Sequence, residues 1–392
     1  MSNHESRAGN SRRAFLQISA AAKAAMALRF VSEATLAAQE HKIIPAGAIR
    51  IDANENPLGP CETARKAVME EAAQGGRYNY WLKDELAADL AGTLGVKKEN
   101  VAMFAGSGEP LHYSVFAFTS PSRSYVTADP GYEAGMRASS YTGARIVKVP
   151  LTKTYGHDVK AMLAAAPDAG LFYLCTPNNP TGTVTPHEDI EALVANKPRG
   201  SVVMVDEAYI HFSDTLTAVD LVKAGADVVV LRTFSKIYGM AGLRCGAAIA
   251  RPDLLEKLGC YGGGNPMPIT ALAAASASLK HSGLVAGRKQ INSSVRQKTF
   301  EWLDRQGYSY TPSQANFFMV DAKRPAKETI DAMAARKVFI GRAWPVWPTH
   351  VRVTVGTQAE MEEFQAAWQQ VMSGAKTVGY MPPTKTSSDY LS

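Results

Sequence analysis

The chain has 392 residues, 46% of them hydrophobic and 20% charged, a composition that fits a globular protein of two or three units and excludes disordered, collagen-like and disulfide-stapled classes. Half of the formal net charge of +6 falls in the first 38 residues, where five basic side chains face two acidic ones. The rest is weakly positive and well mixed, without the basic stripe that nucleic acid requires.

At the amino end, Ser11-Arg12-Arg13-Ala14-Phe15-Leu16 precedes an Ala-rich stretch and small residues around Ala34 to Ala38. This pattern looks like a twin-arginine export signal over residues 1–38, which predicts passage through the twin-arginine translocase and a periplasmic or otherwise exported protein. An amphipathic amino-terminal helix is the plainer alternative. Gln17, Ser19 and Lys23 make the stretch too polar and too short for a spanning helix of about 20 apolar residues, so no stable membrane insertion is expected.

From Val101 onward, short apolar runs alternate with longer segments of helical period. Strands are predicted at 101–104, 125–128, 146–149, 171–175, 202–205, 228–231 and 247–250. Runs such as Val202-Val203-Met204-Val205 are apolar at every position, as strands buried on both faces of a mostly parallel sheet are, and the architecture is α/β. After Gly287 the pattern becomes a long helix over 288–306, strands near 317–320, 338–340 and 351–355, and a helix over 361–372, which together predict a smaller α+β unit. Residues 376–392 read as a Pro-, Ser- and Thr-rich tail. Cys61, Cys175, Cys245 and Cys260 form no CxxC pair and have no histidine at metal-ligand spacing, so buried thiols and no metal site are expected.

Three motifs carry chemistry. In Ser235-Lys236-Ile237-Tyr238-Gly239-Met240-Ala241-Gly242-Leu243-Arg244, a lysine follows the buried strand at 228–231, at the strand end where open α/β sheets bind ligands. Its amine can form an imine with an aldehyde cofactor, while Ser235 and Arg244 offer the donors a phosphate needs. Val205-Asp206-Glu207-Ala208-Tyr209 ends another apolar strand on an acid. Asp206 can keep a ring nitrogen protonated there, although a lone strand-end Asp more often caps a helix. Thr176-Pro177-Asn178-Asn179-Pro180-Thr181-Gly182 is a fixed turn that can aim the Asn179 amide at a bound ring.

In this order and spacing the motifs resemble fold-type I pyridoxal 5′-phosphate (PLP) aminotransferases, particularly the histidinol-phosphate aminotransferase family, and the resemblance covers nearly all of the chain after residue 38. Asp52-Ala53-Asn54-Glu55-Asn56-Pro57-Leu58-Gly59-Pro60 and Val351-Arg352-Val353-Thr354-Val355-Gly356 resemble the family's two small-domain signatures. The resemblance implies a large seven-stranded, mostly parallel domain over 76–287, and a small α+β domain joining 39–75 to 288–375. It makes Lys236 the Schiff-base lysine and proton shuttle, pairs Asp206 with the pyridine nitrogen, and sets Asn179 and Tyr209 on the ring oxygen. Ser107, Gly108, Ser235 and Arg244 would cradle the phosphate, with Glu109 and Thr233 in the same shell, and Tyr132 would stack on the ring. Tyr78 would reach the phosphate of the neighbouring subunit, which implies a homodimer. Arg352 would clamp the substrate α-carboxylate, with Asn54 beside it, and Arg342 stands where the family places a second anion-binding arginine. Two departures are visible: Gly108 replaces the usual Asp, and 342–348 is Trp- and Pro-rich, which puts a phosphate-bearing substrate in doubt.

The expected activity is amino transfer between an amino acid or amine and a 2-oxo acid, with histidinol phosphate a weaker substrate expectation for an exported protein. The rivals are another PLP reaction at Cα, such as decarboxylation, elimination or oxidation, and a periplasmic binding protein without turnover.

Overall fold

A computed structural model describes residues 44–262 and 264–374. The twin-arginine signal expected at 1–38 and the tail at 376–392 lie outside the described residues.

Seven strands form the main sheet: β2 (Val101–Phe104), β3 (Ser124–Asp129), β4 (Ile146–Pro150), β5 (Ala169–Cys175), β6 (Val202–Asp206), β7 (Val228–Thr233) and β8 (Gly246–Ala250), in the order β2-β8-β7-β6-β5-β3-β4. Strands β7, β6, β5, β3 and β4 run parallel, and β8 is antiparallel to both β2 and β7. Every residue of β5, β6, β7 and β8 is buried, because helices cover both faces of the sheet and leave no polar side to alternate with. Helix Ile269–Lys280 packs on helix Glu62–Ala72, its buried Ala271, Ala274 and Ala275 allowing close approach.

A second core joins the two ends of the chain. Strand β1 (Ile49–Ile51) pairs in parallel with β10 (Val338–Ile340), and β9 (Phe317–Asp321) pairs antiparallel with β11 (His350–Thr354). Ile51 is buried there with Phe300, Leu303, Phe318, Val353, Phe364 and Trp368. Helix Leu284–Gln306 spans both cores, and helix Gln358–Met372 opens on a capping box in which Thr357 accepts from the Glu360 N–H and the Glu360 carboxylate accepts from the Thr357 N–H. Cys61, Cys175 and Cys245 are buried thiols, whereas Cys260 is exposed at a helix end, against the expectation of four buried ones. No helix among the described residues is long and apolar enough to cross a membrane.

Candidate active site

A cavity of about 240 Å³ opens at the carboxyl ends of β5, β6 and β7. Its lining includes Ser107, Gly108, Tyr132, Asn179, Asp206, Tyr209, Thr233, Ser235, Lys236 and Arg244, so ten of the residues singled out from the sequence converge on one space.

One end is built for an anion. Ser107 stands at the N-cap of helix Gly108–Phe118 with no side-chain cap bond, and free N–H groups of a helix start favour negative charge. Thr233 Oγ1 donates to Ser235 Oγ over 3.0 Å, and Arg244 Nη1 donates to the same oxygen over 3.3 Å. Arg244 adopts a left-handed φ of 65°, and its guanidinium lies against Gly106, where an added Cβ would come within 2.2 Å of Nη2. The glycine is therefore required for the approach. A Cβ at Gly108 would meet nothing within 4 Å, so the family's usual acid has room that this chain leaves open.

The other end carries an acid held from beneath. Asp206, 4% exposed, accepts from the Tyr173 hydroxyl over 3.0 Å and from the Ala208 N–H over 3.1 Å. Tyr173 is itself 1% exposed and stacks on Tyr125, and burial pushes its phenol well above the ordinary range, which keeps it a neutral donor. Tyr125 has space only because Gly135 lacks a Cβ, which would lie 2.0 Å from its hydroxyl. Between the two ends, Lys236 Nζ stands 5.4 Å from the centroid of the Tyr209 ring. The Tyr209 hydroxyl accepts from Asn54 Nδ2 over 3.2 Å, and Asn54 is bonded in turn to Thr354 of β11.

Arg352, 1% exposed, donates to Asn179 Oδ1 over 2.9 Å and to the Asp52 carbonyl over 2.8 Å, which fixes its guanidinium beside the cavity. The remaining candidates are placed differently. Asn54 lies behind Tyr209 and positions that phenol. The Glu109 carboxylate accepts from the Ala105 N–H over 3.1 Å and steadies the loop before the helix, outside the cavity lining. Arg342 is ion-paired with Glu133 and stacks on Trp344. Tyr78 is 65% exposed, stacks on Tyr80 and does not line the cavity.

The residues not anticipated are Tyr173, Glu133 and the buried ion pair of Glu207 with Arg232. Tyr173 was hidden in an apolar strand, where its only signal was a polar tip on a buried side chain. Glu133 becomes visible only beside Arg342, 209 residues away.

The donor set fits PLP: a cation, hydroxyls and a helix start for a phosphate, an amine for an aldehyde, and a strand-end acid for a ring nitrogen. The family model for aminotransferase class I and II matches residues 46–367. The chain is 34% identical over 339 residues to the histidinol-phosphate aminotransferase of Moorella thermoacetica, with 83% of this chain and 86% of that protein covered. It is 34% identical over 333 residues to the aromatic amino acid aminotransferase of Cutibacterium acnes, with 83% and 93% covered. The crystal structure of histidinol-phosphate aminotransferase from Sinorhizobium meliloti in complex with pyridoxal-5′-phosphate matches at a TM-score of 0.79 and 27% identity, over 90% of this chain and 97% of that one. The chain belongs to the class I and II aminotransferases. It is a PLP-dependent transaminase with the fold-type I architecture.

Proposed function

We propose that this transaminase moves the amino group of an α-amino acid to a 2-oxo acid at the cavity between Arg244 and Asp206, with Lys236 as its proton carrier. The observation that carries the reading is the convergence of Lys236, Asp206 and the anion cradle on one cavity, bordered by the buried guanidinium of Arg352. When bound, PLP supplies an electron sink for the bond broken at the substrate Cα. Asp206, held by Tyr173 and Ala208, keeps a carboxylate lone pair for the ring nitrogen, and the Arg244 end takes the phosphate. Arg352 receives the α-carboxylate in a bidentate pair that orients the Cα–H bond, and Asn179 holds the guanidinium in place. Lys236 Nζ accepts the Cα proton and would return it two atoms along, to the carbon on the far side of the transferred nitrogen, so one amine acts as base and then as acid.

The 34% identity to both a histidinol-phosphate and an aromatic amino acid aminotransferase supports a donor of either kind, and the Trp- and Pro-rich segment 342–348, with Arg342 paired to Glu133, makes histidinol phosphate the weaker candidate. Two further readings rest on sequence: Tyr78 on an exposed surface supports a homodimer in which it serves the neighbouring site, and Arg12-Arg13 supports export by the twin-arginine route. The deciding experiment follows the visible spectrum of the PLP-loaded protein and of Lys236→Ala through a panel of amino acids and then of 2-oxo acids. A band shift with a donor, reversed by an acceptor and absent in the variant, supports amino transfer. Release of carbon dioxide or ammonia without an acceptor would overturn it. Sedimentation tests the dimer, and cell fractionation of an Arg12→Lys, Arg13→Lys variant tests export.

A further inference from the structure

Two arginines meet on one indole beside the site. The Arg352 N–H donates to the Arg342 carbonyl over 3.3 Å, and the two guanidiniums lie 5.7 and 4.6 Å from the Trp344 ring centroid. Trp344 is 1% exposed, and its Nε1–H donates to the Gly131 carbonyl over 3.1 Å, which ties the indole to the loop that carries Tyr132 into the cavity. The next residue on that loop is Glu133, and its carboxylate takes the Arg342 guanidinium. The two arginines therefore differ in kind: Arg352 is bonded to two neutral carbonyl oxygens, whereas Arg342 is neutralised by an acid.

We propose that Glu133 is a specificity-determining residue that cancels the charge of Arg342 and restricts the site to amino donors and 2-oxo acid acceptors whose side chains carry no negative charge. The proposal rests on the α-carboxylate being held at Arg352, as read above. Both half-reactions use one site, so the selection applies to donor and acceptor alike. With side-chain exposures of 16% for Arg342 and 26% for Glu133, the pair is screened by water less than a surface pair is. A second carboxylate or a phosphate entering beside Arg342 must displace Glu133 from its partner or lie against its negative charge, and both oppose binding. A neutral side chain meets neither obstacle. The selection acts through charge, because the Trp344 ring is already covered and offers no open face.

The test is calorimetric titration of the PLP-loaded protein with two unreactive ligands, 3-phenylpropionate with one carboxylate and glutarate with two. The wild type is expected to bind 3-phenylpropionate at least tenfold more tightly than glutarate. Glu133→Gln is expected to reduce that ratio at least tenfold, and adding Arg342→Gln to it is expected to restore the preference. In turnover, phenylalanine should exceed glutamate as donor, and phenylpyruvate should exceed 2-oxoglutarate as acceptor. Equal affinity of the wild type for the two ligands, or a ratio that Glu133→Gln leaves in place, would overturn the proposal. Neither ligand reacts, so the expected ratios without any amino transfer would sink the functional reading and leave the charge selection standing.

Discussion

Lys236 and Tyr173 act on opposite sides of the same proton problem. Lys236 moves the proton, and replacing it with Ala should lower turnover by roughly 10³-fold or more while the fold survives, as single-turnover kinetics would register. Tyr173 reaches no substrate; its hydroxyl fixes the Asp206 carboxylate. A hydrogen bond to a charged group contributes roughly 1.5–3 kcal/mol, so Tyr173→Phe should weaken PLP retention and kcat by roughly 10- to 100-fold. Equilibrium dialysis of the cofactor separates this from a general loss of structure, which circular dichroism would report. Wild-type PLP retention in Tyr173→Phe would show that the Tyr173 bond is not what holds the acid.

At the scale of elements, the turn after β6 is locked by a buried pair. Glu207, 1% exposed, accepts from Arg232 Nε of β7 over 2.7 Å and also from Thr217 and the Ala218 N–H. Removing one partner of such a pair leaves a buried charge unmatched, so Glu207→Ala should lower stability by roughly 3–5 kcal/mol, read as a fall in the urea midpoint. The Thr357 cap is worth less, and Thr357→Ala should cost about 1 kcal/mol by the same measurement. Strands β5, β6, β7 and β8 were legible because burial on both faces leaves a short apolar run, and the site residues beyond β6 and β7 were legible because an acid or a lysine follows that run. Strand β1 was not, since three residues with Arg50 in the middle show neither an apolar run nor a period. The reversed direction of β8 was hidden too, because a short apolar run carries no mark of strand direction. The Glu133–Arg342 pair was beyond reach for another reason: nothing local marks two residues that only the packed loops bring together.

For the whole molecule, buried histidines set the response to acid. His112 and His157 are pushed down to about 4 by burial, and His157 Nδ1 is bonded to Thr185 Oγ1 at 2.7 Å. In the unfolded chain these rings take protons near pH 6.5, so between about 6.5 and 4 the unfolded state binds protons that the folded state refuses. Stability therefore falls as pH drops through that window and is recovered above it. His157→Gln should remove roughly 1–2 kcal/mol of the loss between pH 7 and pH 5, measured as the difference in unfolding free energy at the two pH values. An unchanged pH slope would assign the acid response to other groups.

The bond from the Asn54 N–H to Thr354 joins residues 300 positions apart, and it matters to a ribosome as well as to a folded protein. At translation rates of roughly 5–20 residues per second, Thr354 is made roughly 15–60 s after Asn54. For the last part of that interval, once residue 236 has been added, the nascent chain carries Lys236 and Asp206 while the arginine that would hold a substrate carboxylate has yet to be made. A message cut short before the codon for Arg352 would thus direct synthesis of a chain that keeps its reactive lysine and lacks the means to present a substrate to it.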